Sequence, residues 1–316
     1  MEALHTPVML EEVISCLAPR KGGELMIDAT LGEGGHAYAF LSRFQDLNII
    51  GIDADPAIQN IAKERLREFG ERIRFYTGWA QDFFASYPEE LKRPDTIFID
   101  LGISRYHYEK SGRGFSFRKD EALDMRLNGE SRQTAADLIN RLGERELADL
   151  FYQNAEERYS RRIARAIVEG RKRGAIRSSR ALAELVEAAV PPSYRRGPVH
   201  PATKVFQSLR IAVNSELSRL NELLEGALGA LEPGGRLGII SFHSLEDRIV
   251  KHFFRQRNRD CNSSPEAPIG RYGESRVVRI LLPKGITPGK AEIRGNGASR
   301  SARLRAAEKI RDEVEQ

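Results

Sequence analysis

Short apolar runs at 25–27, 49–52, 73–76 and 96–99 punctuate the first hundred residues, each followed by a turn bearing Gly or Asp, with helical stretches between them. That alternation predicts βαβ units and a parallel sheet. Beyond Asp100 the pattern changes. From about Gly112 to His200 no run reads as a strand, whereas Glu144 to Asn154 and Arg180 to Val190 read as helices, so a helical insertion is expected here. Pro191, Pro192, Pro198 and Pro201 mark its end, because proline stops helices and stiffens a linker. From Val205 the apolar positions Leu209, Val213, Leu217, Leu220, Leu224, Leu228 and Leu231 predict one long amphipathic helix, which Pro233, Gly234 and Gly235 end. Arg236 to Ser241 follows as a buried strand. Arg276 to Leu282 alternates, as an antiparallel edge strand does. The remaining tail is basic and glycine-bearing, and partial mobility is expected there. The chain thus reads as an α/β domain over 1–111 and 203–316, interrupted by a helical domain over 112–202.

The most telling polar segment is DATLGEGGH, Asp28 to His36, placed directly after the first apolar run. Gly32, Gly34 and Gly35 lack a Cβ and so let backbone approach a ligand at a strand end. About twenty residues on, the second apolar run ends at Asp53, where a carboxylate can accept hydrogen bonds from both hydroxyls of a ribose. Gly32, Gly34 and Ala37 also satisfy the dinucleotide pattern, so a nicotinamide or flavin enzyme remains an alternative, as does a ligand-free turn. In an open parallel sheet the groups beyond the strand ends converge: Asp28, 32–36, Asp53, 78–80, 100–104 and 241–244.

With 316 residues and 41% hydrophobic content, the chain can fill a real core. It has no apolar stretch long enough for a bilayer and no charged-then-apolar leader before His5, so a cytoplasmic protein without a membrane partner is expected. Cys16 and Cys261 are the only cysteines, neither in a CxxC pair, and His36, His107, His200 and His243 are scattered. Neither a disulfide scaffold nor a metal site is expected. The net charge is +5, from 50 Lys and Arg against 45 Asp and Glu. Its distribution says more: Arg158, Arg161, Arg162, Arg165, Arg171, Lys172, Arg173, Arg177 and Arg180 lie in one stretch, followed by Tyr194, Arg195 and Arg196. That is either a solvated helix face or an electrostatic footprint for phosphates.

DATLGEGGH, IDADP at 52–56, DLGIS at 100–104, RGFSF at 113–117, LDMR at 123–126, HPATKVFQSLRIAVNSEL at 200–217 and GGRLGIISFHSLEDRIVK at 234–251 span nearly the whole chain. Together they resemble the RsmH (MraW) family of 16S rRNA cytosine N4-methyltransferases. The resemblance implies a Rossmann-like S-adenosylmethionine-dependent methyltransferase sheet with an inserted helical domain that helps seat RNA. It implies a decoding-region cytidine of 16S rRNA in the small ribosomal subunit as acceptor. Carried over by position, cofactor contacts fall on Gly34, Gly35, His36, Asp53, Ala80, Asp100 and His107. The chain departs from the family twice: Ala80, with Trp79 beside it, stands where an aromatic is usual, and Arg105, Tyr106, His107 and Tyr108 replace a Ser, Pro and Gln segment.

The exocyclic amine of cytosine is delocalised into its ring, so an enzyme must hold N4 in line with the methyl donor and accept its hydrogen bonds. Asp100, ending the fourth run, is the candidate catalytic acceptor or base; its other role is as a cofactor carboxylate only. His243 and Ser241 either shape the base pocket or pack the sheet end. Phe115 and Phe117, flanked by Arg113 and Arg118, suit either a stacked base with its phosphates or a core anchor. A non-catalytic RNA-binding or ribosome-assembly factor is the third reading.

Overall fold

Val, Ile and Phe at successive positions, such as Ile97, Phe98 and Ile99, bury both faces of a strand, and only a sheet covered on both sides can use such a run. In the computed structural model, which describes residues 7–129, 131–259 and 276–313, this happens in a sheet of seven strands. They are β1 (Leu25–Asp28), β2 (Asn48–Asp53), β3 (Ile73–Thr77), β4 (Thr96–Asp100), β5 (Arg236–Ser241), β6 (Val278–Ile280) and β7 (Arg303–Lys309). Their order is β3-β2-β1-β4-β5-β7-β6. The first five pair in parallel, and β7 runs antiparallel to both β5 and β6. The alternating faces feed two cores. Ile27, Ile97, Ile99 and Ile239 pack with Leu224, Leu228 and Phe253, while Met26, Ile49, Phe98 and Ile240 pack with Leu17, Phe40 and Leu304.

The five parallel strands stand where the apolar runs placed them, and β6 is the antiparallel edge. The tail is a correction. Instead of a mobile end it supplies β7, the strand between β5 and β6. Two buried cations disguise it in the sequence. Arg305 is 5% exposed and forks onto Asp247 at 2.6 and 3.1 Å. Lys309 is 2% exposed and donates from Nζ to the carbonyls of Leu228, Gly229 and Leu231 at 2.6, 3.1 and 2.8 Å, closing the end of the helix Glu216–Ala230.

The chain separates into two compact units, Met1–Ile103 with Arg219–Gln316, and Ser104–Ser218. The second is wider at both ends than the segment 112–202. Among its described residues it holds no strand, only an isolated bridge between Ala122 and Ser178. Its helices Glu144–Ala155, Ser160–Arg171, Ser179–Ala189 and Ala202–Asn214 pack through residues such as Phe151, Ile163, Leu182 and Leu209, all fully buried. The long amphipathic helix is a second correction. It is two helices, Ala202–Asn214 and Glu216–Ala230, because Ser215 adopts a left-handed φ of 52°. Asn214, 3% exposed, fastens the break by donating to the Met125 carbonyl at 2.8 Å and accepting from Leu127 N–H at 2.9 Å. Cys261 lies outside the described residues. No helix of the described residues is long and apolar enough to cross a membrane.

Candidate cofactor site and active centre

The strand order reverses between β1 and β4, and in such sheets the crevice beyond the carboxyl ends at the reversal is where ligands bind. β1 delivers Asp28 there, β2 delivers Asp53 and β4 delivers Asp100. Between Asp28 and the helix Gly35–Arg43 the chain turns through Gly32 at φ 54° and Gly34 at φ 75°. Close approach to a ligand is one reason for these glycines; the fold supplies an inner one. A Cβ on Gly34 would come within 2.9 Å of Leu66 Cδ1, and one on Gly35 within 2.8 Å of Pro7 Cγ. Asp53 holds the turn from the other side, accepting from Gly32 N–H and Asp55 N–H at 2.8 Å each. Its own carbonyl accepts Gly78 N–H at 2.9 Å, which ties the segment after β3 to the ribose-type acid.

The centre of the reversal is a knot of acids. Thr30 links two of them: its N–H donates to Asp28 Oδ1 at 3.3 Å, and its hydroxyl oxygen accepts Asp100 N–H at 2.6 Å. Asp28 is 1% exposed, and burial pushes its carboxyl up to about 7, opposed by the Thr30 N–H and reinforced by the Asp53 charge. Asp100 is raised well above the usual carboxylate range, first by burial and then by the charges of Asp28 and Glu246. Its Oδ2 lies 3.7 Å from His36 Nδ1, while its Oδ1 is buried with no hydrogen-bond partner among the described residues. The far nitrogen of His36, Nε2, meets the Val8 carbonyl at 3.0 Å, and the ring packs on Phe98 at 4.7 Å.

Gly34, Gly35, His36, Asp53, Ala80 and Asp100 all belong to the sheet unit, at the carboxyl ends of β1 to β4. Ala80 is buried and opens the helix Ala80–Ala85, directly after Trp79. His107 belongs to the helical unit, in the short helix Arg105–Glu109, where its ring meets Phe115 edge-on at 5.4 Å. Phe115 is 4% exposed, a core anchor; Phe117 is half-buried and stacks on His200 at 4.5 Å. Ser241 and His243 belong to sheet-end packing. Ser241 donates to the Arg303 carbonyl at 3.4 Å, and His243 caps the helix Ser244–Arg257 in a reciprocal box with Glu246. Glu246 therefore bears on Asp100 without having been singled out from the sequence. Its signal was the three-residue spacing from His243, the mark of a capping box. Among the described residues no group of three His, Cys, Asp or Glu could hold a metal ion.

The chemistry of this donor set separates cofactors. A dinucleotide brings a doubly charged pyrophosphate, which the Asp53 carboxylate would repel, and Gly34 N–H is already spent on the Leu31 carbonyl at 2.8 Å. A sulfonium cofactor brings a positive charge and an adenosine. The acidic knot, the ribose-type acid and the orphaned acceptor of Asp100 fit it. Fold and site thus define a Rossmann-like enzyme of the S-adenosylmethionine-dependent methyltransferase class. The chain belongs to the MraW methylase family, whose pattern it matches over residues 2–310. It is 53% identical over 310 residues to the Ribosomal RNA small subunit methyltransferase H of Treponema denticola, covering 98% of both chains. It is 45% identical over 305 residues to the protein of that name from Trichormus variabilis, covering 96% of this chain and 92% of the other. Among solved structures, an rRNA methylase from Streptococcus thermophilus overlaps 98% of this chain and 100% of its own at 12% identity and a TM-score of 0.41, too remote to add to the family match.

Proposed function

We propose that this methyltransferase acts on 16S rRNA, in the small ribosomal subunit, and moves the methyl group of S-adenosylmethionine to the exocyclic N4 of a decoding-region cytidine. The observation that carries this reading is the acceptor of Asp100, buried, unpaired at Oδ1 and raised in proton affinity at the strand reversal. When bound, S-adenosylmethionine supplies an electrophilic methyl on a positively charged sulfur. Gly34, Gly35 and His36 would hold its methionine side, Asp53 its ribose hydroxyls, and the segment through Ala80 its base.

Asp100 would accept the hydrogen bonds of the N4 amine, so that the nitrogen lone pair points at the methyl carbon rather than into the pyrimidine ring. Accepting the methyl group would place positive charge on N4. A carboxylate whose proton affinity is raised above the usual range is suited to take the proton that N4 then sheds. Burial, and then the charges of Asp28 and Glu246, raise that affinity, and His36 Nδ1 stands 3.7 Å from the Asp100 Oδ2.

The RNA side of the reading rests on the helical unit. Arg158, Arg161, Arg162, Arg195 and Arg196 are exposed there, and Arg158 lies over the rings of Tyr159 at 4.9 Å and Tyr194 at 4.7 Å. Tyr194 is itself fixed by a 2.7 Å bond from its hydroxyl to the buried Glu157. Fixed cations beside aromatic rings suit a phosphate backbone. The acceptor base must stand out of any helix, since a duplex shields N4 from an in-line donor. The test is transfer from labelled S-adenosylmethionine to small subunits from cells lacking their own copy of the enzyme, with the product nucleoside identified by mass spectrometry. N4-methylcytidine at one site supports the reading. Binding of rRNA without transfer, by the parent and by Asp100→Ala alike, would instead make the protein an assembly factor.

A further inference from the structure

Trp79 is the only tryptophan in the chain, and it sits at the end of β3 on the loop that Gly78 ties to Asp53. The guanidinium of Arg219 lies 4.2 Å from its ring centroid. Arg219 is an odd residue to find there. It stands in the first turn of the helix Glu216–Ala230, where the helix dipole opposes a cation. Its Nε is buried without a hydrogen-bond partner among the described residues. A half-buried guanidinium edge with neither a bond nor a favourable dipole is held by the face of the indole it covers.

The position of the pair indicates what it is for. β3 runs parallel to β2 in a register that sets Thr77 opposite Asp53, so the residues just past Thr77 lie next to the acid that receives the ribose. A nucleoside whose sugar meets Asp53 carries its base on to this loop. Ala80, buried at the start of the next helix, offers the base only a methyl group, whereas Trp79 offers an aromatic face. We propose that Arg219 is a positioning residue for the cofactor: it covers one face of Trp79 and sets the indole as the platform on which the adenine stacks. The proposal rests on the reading that this site takes S-adenosylmethionine, and it adds the residue that fixes the adenine end.

Because no other tryptophan contributes, the emission of Trp79 reports on this platform alone. Titration of the full-length protein with S-adenosylhomocysteine is expected to change that emission saturably, and adenosine, which lacks the amino-acid arm, is expected to change it too. Trp79→Phe removes the signal. In Arg219→Ala the emission of the free protein shifts and the dissociation constant for S-adenosylhomocysteine, measured by calorimetry, rises about tenfold, the size expected for losing an ordered stacking surface. Arg219→Met keeps the aliphatic stem over the ring and loses the charge, so it controls for folding and is expected to weaken binding less. If the parent binds S-adenosylhomocysteine while Trp79 emission stays constant, or if both Arg219 variants bind as the parent does, the platform is wrong and the cofactor reading stands. If the parent fails to bind S-adenosylhomocysteine at all, both fall.

Discussion

At the scale of single residues, the buried acids of the strand reversal are costly to the fold. Asp28 holds its proton to about pH 7 in the folded chain and to about 3.9 when unfolded, so between those values the folded state binds more protons. The contribution of Asp28 to stability is therefore most favourable below about pH 4, falls as pH rises through the window up to about 7, and levels off above it. Asp28→Asn keeps the acceptor for Thr30 N–H and removes the charge. It is expected to stabilise the protein at pH 8 by up to about 4 kcal/mol and to have little effect at pH 4, as followed by urea unfolding at the two pH values. Asp100→Asn separates the two roles open to that residue. If Asp100 takes the N4 proton, single-turnover transfer slows by about 10²–10⁴-fold while calorimetry finds S-adenosylhomocysteine still bound; a loss confined to affinity would make it a cofactor contact only.

At the scale of elements, polar residues placed inside the sheet unit decide which segments belong to it. Lys309 is the clearest case, its Nζ serving three carbonyls at the end of the helix Glu216–Ala230 and Asp312 at 2.7 Å. Removing the ammonium strands buried acceptors. Lys309→Ala is expected to cost about 2–4 kcal/mol, seen as a lower urea midpoint with an unchanged slope. The same polarity made β7 illegible, because a strand with Arg305 and Lys309 pointing into protein breaks the alternation by which strands are read. The helical stripe from Val205 to Leu231 failed for the opposite reason. Its period runs unbroken through Ser215, and one left-handed residue leaves a hydrophobic period intact while ending the helix. By contrast β1 to β5 were legible because a sheet covered on both faces demands apolar residues in unbroken runs.

At the scale of the whole molecule, the exposed arginines of the helical unit test the RNA side of the proposed function. If Arg158, Arg161 and Arg162 each meet a phosphate, replacing all three by Gln should flatten the salt dependence of binding to single-stranded rRNA fragments, lowering the log–log slope by about 2. Filter binding over a range of salt measures it, and an unchanged slope would reduce this face to a solvated surface. The glycine turn, Asp53 and the four leading strand ends were set by local rules: apolar runs make strands, and the turn between two of them must be glycine where φ is positive. Those rules act between near neighbours, so the amino-acid sequence by itself determined the five parallel strands, the glycine turn and acid at their ends and, through its long motifs, the family. What only the tertiary structure decided depends on partners far apart in the chain. The raised proton affinity of Asp100 needs its burial and then Asp28 and Glu246 beside it, the cap on Trp79 needs Arg219, and β7 needs Asp247 and a helix end to accept its cations. Burial and charge act through space, and no reading of neighbours along the chain contains them.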